Sequence, residues 1–171
     1  MVIQGLVKNP GNWNTSQVIA TLPEGMRPSA TLTFGGNVQY SSARIDILSN
    51  GDVKYIGGKS NLEWLSLSGI VFTVGSTRSL SLASGWTNYG NEYATPQLAT
   101  TSTLRPISGL AQGSSGQIAT LPLTIRGRRI FSVMKGSKPS RVDVLQDGRV
   151  FYMVGGDPDS TPLSLSGIFI R

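Results

Sequence analysis

Apolar and small polar residues alternate in Leu65-Ser66-Leu67-Ser68-Gly69-Ile70, and again in Leu163-Ser164-Leu165-Ser166-Gly167-Ile168. A period of two belongs to a strand, so the leucines are expected to face a core and the serines the other side. Ala43-Arg44-Ile45-Asp46-Ile47-Leu48 alternates in part, stops at Ser49-Asn50-Gly51-Asp52 and resumes as Val53-Lys54-Tyr55-Ile56. Val142-Asp143-Val144-Leu145, Gln146-Asp147-Gly148 and Val150-Phe151-Tyr152-Met153-Val154 repeat that sequence of events. Asn-Gly in one place and Asp-Gly in the other predict hairpins, with positive φ at residues that tolerate it. No longer stretch carries a helical period, and Pro and Gly recur too often for long helices. The pattern predicts an all-β chain.

The chain also says the same thing twice. QVIATLPEGMRPSATLTF (17–34) returns as QIATLPLTIRGRRIFSV (117–133), ARIDILSNGDVKYIGG (43–58) as SRVDVLQDGRVFYMVGG (140–156), and LSLSGIVF (65–72) as LSLSGIFI (163–170). The offset slips between 97 and 99, as loops of unequal length between common strands produce. The expected architecture is two tandem antiparallel β-sandwich domains, jelly-roll-like and related by an internal repeat. Residues 1–75 form the first and 105–171 the second, with 76–104 joining them. Trp86, Tyr89 and Tyr93 mark the joining stretch as an ordered segment that packs on one or both domains, since flexible linkers rarely carry three aromatics so close together.

Composition narrows the chemistry. Charged residues are 14%, well below the usual quarter, which suits a β-rich surface protein better than a helical enzyme. The chain has no Cys and no His, so disulfides, thiolate chemistry, the common zinc ligands and the usual nucleophile–base pairs are excluded. No metal or cofactor is expected. The start MVIQGLVKNPGN lacks the features of a secretion signal and GIVFTV is too short to cross a bilayer, so a soluble chain without membrane insertion is expected. The net charge of +6 is uneven: residues 1–99 hold six basic and five acidic side chains, residues 100–171 nine and four. The second half carries the positive field, which suits a polyanionic partner.

Gly5-Leu6, Trp13, Ala20-Thr21-Leu22-Pro23, Arg27-Pro28, Arg44-Ile45-Asp46-Ile47, Asn50-Gly51 and Trp64-Leu65-Ser66-Leu67-Ser68-Gly69-Ile70 together resemble the C-terminal head modules of bacteriophage tail fibre and receptor-binding proteins. Gly85-Trp86-Thr87-Asn88-Tyr89-Gly90-Asn91-Glu92-Tyr93 followed by Ile107-Ser108-Gly109-Leu110 looks like the lead-in such modules carry. The first copy starts without that lead-in, which suggests a C-terminal fragment of a longer fibre or an internally initiated product. The resemblance implies β-sandwich heads, homotrimeric about an upstream fibre shaft, in the virion at the phage tail. They would adhere to a host cell-surface polysaccharide or other anionic glycan without chemistry. Two alternatives stand beside it: a structural trimerising or capping module without receptor contact, and a depolymerase tailspike domain. The second copy departs from the pattern: Thr124-Ile125-Arg126-Gly127 replaces the Gly-x-Arg-Pro element, Pro162 stands where Trp64 would, and nothing matches Trp13.

The sharpest local feature is the basic run Arg126, Arg128, Arg129, Lys135, Lys138 and Arg141. Arg27 and Arg126 occupy matching positions and are expected to be structural. Arg128 and Arg129, opposite Ser29 and Ala30, are additions and receptor candidates together with Lys135 and Lys138, because guanidinium groups grip phosphate or carboxylate by paired hydrogen bonds. The bland reading is a solvated strand face or a trimer contact. Among loop aromatics (Trp13, Tyr40, Trp86, Tyr89, Tyr93), Trp86 and Tyr89 are the preferred sugar platforms, with shaft-to-head packing the alternative; Trp64, on a strand, is expected in a core or interface. The carboxylates offer no catalytic pair of the kind glycan cleavage needs. Asp46 and Asp143 match and read as fold, Asp52 and Asp147 belong to turns, and Asp157-Pro158-Asp159 reads as a loop with at most weak cation binding. No nucleic-acid-binding module is recognisable, so no nucleic-acid partner is expected.

Overall fold

The computed structural model describes residues 1–100, 103–158 and 160–171. Thr101 and Ser102 of the joining stretch, and Asp159 of the Asp-Pro-Asp loop, lie outside the described residues. Among the described residues there is no helix, and the named strands pair antiparallel throughout.

The first half holds β1 (Val2–Ile3), β2 (Leu6–Lys8), β3 (Gln17–Thr21), β4 (Leu32–Val38), β5 (Ser41–Ile47), β6 (Asp52–Gly58), β7 (Trp64–Ser66) and β8 (Ile70–Val71). The joining stretch adds β9 (Thr77–Ser79), β10 (Thr87–Asn88) and β11 (Gln97–Ala99). The second half holds β12 (Arg105–Ser108), β13 (Leu110–Gln112), β14 (Gly116–Thr120), β15 (Arg129–Lys135), β16 (Lys138–Val144), β17 (Arg149–Gly155), β18 (Leu163–Ser164) and β19 (Ile168–Ile170). The large sheet of the first half runs β2-β7-β4-β5-β6-β3, and that of the second runs β13-β18-β15-β16-β17-β14 with β10 added at the β13 edge. The two orders correspond strand for strand. Bulges also fall at matching places, between Val18 and Ala20 and between Gln117 and Ala119 on one edge, and after Arg44 and Arg141 in the middle. Small sheets close each core: β1-β8 in the first half, and β19-β12-β11-β9 in the second.

The hairpins form where Asn50-Gly51 and Asp147-Gly148 predict them, with one change of detail. Positive φ falls on the glycines alone, 94° at Gly51 and 85° at Gly148. Asn50 and Asp147 instead use their side-chain oxygens to accept the N–H of Asp52 and Arg149.

Two apolar cores result. One gathers Phe34, Ile45, Ile47, Tyr55, Leu65, Ile70 and Phe72; the other gathers Ile107, Ile118, Val142, Val144, Leu163, Leu165 and Ile168. The joining stretch feeds both, Ala94 entering the first and Leu80, Trp86 and Leu98 the second. The leucines of both LSLSGI runs face the cores as the alternation requires. Ser66 and Ser68 are at least partly exposed, but Ser164 and Ser166 are buried, because the other face of β18 is covered by the first half. The Ser164 hydroxyl donates a 2.6 Å hydrogen bond to the Thr33 carbonyl across that joint.

Candidate functional site

Each half builds a buried carboxylate on the outer face of its large sheet. Asp46 accepts from Thr33 Oγ1 (2.9 Å), from Arg44 Nε and Nη2 (2.9 and 2.8 Å), and from the Tyr93 hydroxyl (2.9 Å). Asp143 stands at the same strand position, opposite Ile130 rather than a threonine. Ile130 has no hydroxyl to offer, so two arginines serve Asp143: Arg141 from its own strand (2.8 and 3.0 Å), and Arg128, whose Nε lies 2.6 Å away and whose Nη2 also donates. These bonds hold the Asp143 carboxyl below the ordinary carboxylate range, Arg141 contributing most, and they outweigh burial, which acts the other way.

This geometry corrects several expectations. Arg128 is not an uncommitted addition but the partner of a buried acid, although half its side chain remains in solvent. Matching the β15–β16 pairing to the β4–β5 pairing at Asp143 and Asp46 puts Arg128 and Arg129 at the positions of Thr31 and Leu32, not Ser29 and Ala30, because the loop before β15 is shorter by two residues. Lys135 is fully buried, its Nζ donating to the Asp157 carbonyl (3.2 Å) and lying 5.3 Å from the Tyr152 ring centre, so it offers nothing to a surface partner. Lys138 is exposed and paired with Asp157 (2.9 Å). Asp157 also accepts from the Ser137 N–H (2.7 Å), which leaves its carboxylate engaged.

The aromatics sort differently from expectation too. Trp86 is buried, packs edge-on against Tyr152 and donates its indole N–H to the Ser115 carbonyl (3.0 Å), so it is no sugar platform. It plays for Tyr152 the part that Trp13 plays for the matching Tyr55, so the second half does have a counterpart of Trp13, supplied from the joining stretch. Tyr89 is half-buried against Tyr93. Among the described residues, the aromatics with open surface are Tyr40, in the turn after β4, Phe169 on β19, and Trp64, which is more exposed than its strand position implies.

Arg129 remains, and the structure gathers other arginines around it. Ile125 is buried and its N–H donates to the Gln146 carbonyl (3.0 Å), which pins the loop before β15 so that Thr124 and Arg126 flank it on the outside. β12 and β19 pair with Arg105 opposite Ile170, bringing both ends of the second half to this same place. Three adjoining grooves of about 800, 560 and 320 Å³ result. Their floor is Leu123, Ile125, Phe131, Phe169 and Ile170; their rim is Arg105, Arg126, Arg129, Arg149 and Arg171, and Arg171 lines all three. Among the described residues, the rim's one side-chain carboxylate, Asp147, is paired with Arg149 at 2.7 Å. The Arg149 backbone N–H, followed by its side chain, holds that carboxyl below its ordinary range. Among the described residues, Arg105, Arg126, Arg129 and Arg171 have no carboxylate within ion-pair distance.

The matching end of the first half carries Met1, Arg27, Leu32 and Thr73 at those four positions. There Arg27 is spent on the Leu22 carbonyl (3.0 Å), the structural role expected for both arginines. Arg126 is exposed instead. Sequence reading missed Arg105 and Arg171 as members of the site. The signal was the recurrence of Gly-Ile-(Val/Phe)-(Phe/Ile) after each LSLS run, which marks a final strand that pairs with the first. No family model, curated protein or solved structure matches the chain.

Proposed function

We propose that this chain is a non-catalytic adhesion module that binds an anionic surface polysaccharide across the arginine-rimmed end of its second half. The observation that carries the proposal is four exposed arginines, uncompensated among the described residues, around an apolar floor. Three of them have no arginine at the matching position of the first half, and the fourth matches Arg27, which is engaged with the Leu22 carbonyl. Guanidinium groups offer paired donors to carboxylate or sulfate, while aliphatic and aromatic floor residues suit the apolar faces of sugar rings. The grooves are open and shallow, which fits an extended polymer that touches several rims at once. Weak individual contacts would gain strength where several chains act together.

The resemblance to tail fibre heads supplies the setting: a trimeric head at the end of a phage fibre shaft, acting at a host cell exterior. Binding without chemistry is favoured over cleavage because, among the described residues, the grooves hold one side-chain carboxylate, already paired, whereas glycosidic cleavage takes two facing one bond.

The test is retention on immobilised dextran sulfate against neutral dextran. The native chain should be retained on the sulfated polymer alone, and Arg126→Glu/Arg129→Glu should abolish retention. Lys59→Glu/Arg78→Glu makes the same charge change elsewhere and should preserve most of it. Equal losses in the two double variants would reduce the effect to net charge and refute the site.

A further inference from the structure

The two halves meet through the outer faces of their large sheets, and the contact is staggered. The first half uses Thr33, Gly35 and Gly57; the second uses Met134, Ser137 and Ser164. Besides the bond from Ser164 to Thr33, a Cβ placed on Gly35 would stand 3.2 Å from Met134 Sδ, and one on Gly57 3.4 Å from Ser137 Oγ. A Cβ at Gly35 would thus press on the flexible end of Met134, which would have to yield slightly, whereas one at Gly57 would rest in ordinary contact with Ser137.

The strand registers give each of these residues a counterpart. Thr33, Gly35 and Gly57 correspond to Ile130, Ser132 and Val154; Met134, Ser137 and Ser164 correspond to Asn37, Tyr40 and Ser66. A twofold-like packing would use both sets at once, seating Asn37 on Ser132 as Met134 sits on Gly35. It does not, because Asn37 and Ser132 are both exposed. The joint is therefore heterologous: the first half offers a socket and the second a plug. Each half also owns the element its neighbour used, so an unfilled socket remains on the second half and an unused plug on the first.

Both unused surfaces expose large apolar side chains beside polar ones. In the socket, Ile130 is 60% and Val154 66% exposed, beside a groove of about 360 Å³ that also includes Pro139 and Arg141. On the plug, Leu6, Ser66 and Asn37 stand in one directly paired row, with Leu6 63% exposed. The counterpart row in the second half, Leu110, Ser164 and Met134, is wholly buried. Tyr40 and Trp64 extend the exposed plug.

We infer that the socket of one molecule takes the plug of a second copy of this chain, repeating between molecules the joint that the structure makes within one. A heterologous contact of this kind closes into a ring when its rotation allows, and otherwise grows as a filament. The inference makes no use of the rim arginines, although Ile130 and Phe131 line both the socket groove and the smallest of the arginine-rimmed grooves.

Sedimentation velocity over a range of concentrations tests it. The native chain should exceed its 18.2 kDa monomer mass increasingly with concentration. Val154→Asp spoils the socket and Leu6→Asp the plug, so each alone should remain monomeric. Mixed in equal amounts, the two should form a species of two chains and no larger, because each supplies what the other lacks. Should either variant lose its native circular dichroism spectrum, Ser132→Arg and Asn37→Arg replace them at exposed sites in the same surfaces. A native chain that stays monomeric at every concentration, variants that associate as the native chain does, or a mixture without the two-chain species would each overturn the inference. Retention on dextran sulfate should survive Val154→Asp, which separates this result from failure of the arginine site.

Discussion

The Tyr93 hydroxyl donates a 2.9 Å hydrogen bond to Asp46 Oδ2, across 47 positions of sequence, and accepts one of equal length from Arg44 Nη2. A residue of the joining stretch thereby completes a buried ion pair of the first half. In the second half Arg128, from the lead-in to β15, serves the matching carboxylate. The same acid is thus satisfied by two unrelated third partners, one local and one distant. The distant one, with the backbone bridge between Thr31 and Tyr93, fastens the joining stretch in place.

Tyr93→Phe should therefore destabilise the chain by about 1–3 kcal/mol, because it removes a donor and an acceptor from a network that stays buried. Burial, reinforced by the nearby Asp46 charge, holds the Tyr93 hydroxyl above its ordinary pKa and keeps it protonated as a donor. Urea unfolding of the variant measures the loss; no change in midpoint would show that the bond contributes nothing.

Tyr55→Phe should do the opposite. The Tyr55 hydroxyl is buried and, among the described residues, without a hydrogen-bond partner. Removing it deletes an unmet desolvation cost while the ring keeps its stack on Trp13. The variant should match or exceed native stability in thermal unfolding, by up to about 1 kcal/mol. A clear fall in Tm would mean the hydroxyl has a partner after all.

Acid stability should depend on the arginines around Asp143. Its folded pKa lies below the ordinary 3.8. Its contribution is complete above that ordinary value and is lost as pH falls through the depressed one. Asp147 and Asp157 are also lowered and act in the same direction. Arg128→Ala weakens the depression, so the stability lost on acidification should be smaller, and its loss complete at higher pH, than in the native chain. Stability followed from pH 7 down to about pH 2 checks this, and coincident acid limbs would contradict it.

Alternation and turn chemistry made the strands, the hairpins and the leucine-lined cores readable, because these depend on neighbours within a few residues. The fate of the functional candidates was not readable for a specific reason. Arg128 was matched to Ser29 by counting, but the loop is two residues shorter in the second half, and only the strand register places it over Asp143. Lys135 looked like one cation in a basic run, yet its strand position points it inward under Gly156 and Tyr152. Trp86 and Tyr93 lie seven residues apart and go to different halves, which no spacing in the joining stretch announces. Arg105 and Arg171 meet only because the first and last strands of the second half pair.

The closing of the joint also depends on Gly35. Gly35→Leu should push Met134 off the β4 surface and loosen the two halves, lowering the free energy of unfolding by about 1–3 kcal/mol. Gly11→Leu, in an exposed loop with room around it, should cost far less under the same urea titration. Equal stability of the two variants would show that the sheets do not rely on that close approach.

The most direct measurement of the central claim is residue-by-residue NMR titration of the native chain with a short sulfated oligosaccharide. Shifts confined to Arg105, Arg126, Arg129, Arg171 and the adjoining Ile125 and Ile170 are the predicted result. Shifts centred on Tyr40 and Trp64, or none at saturating ligand, would contradict it.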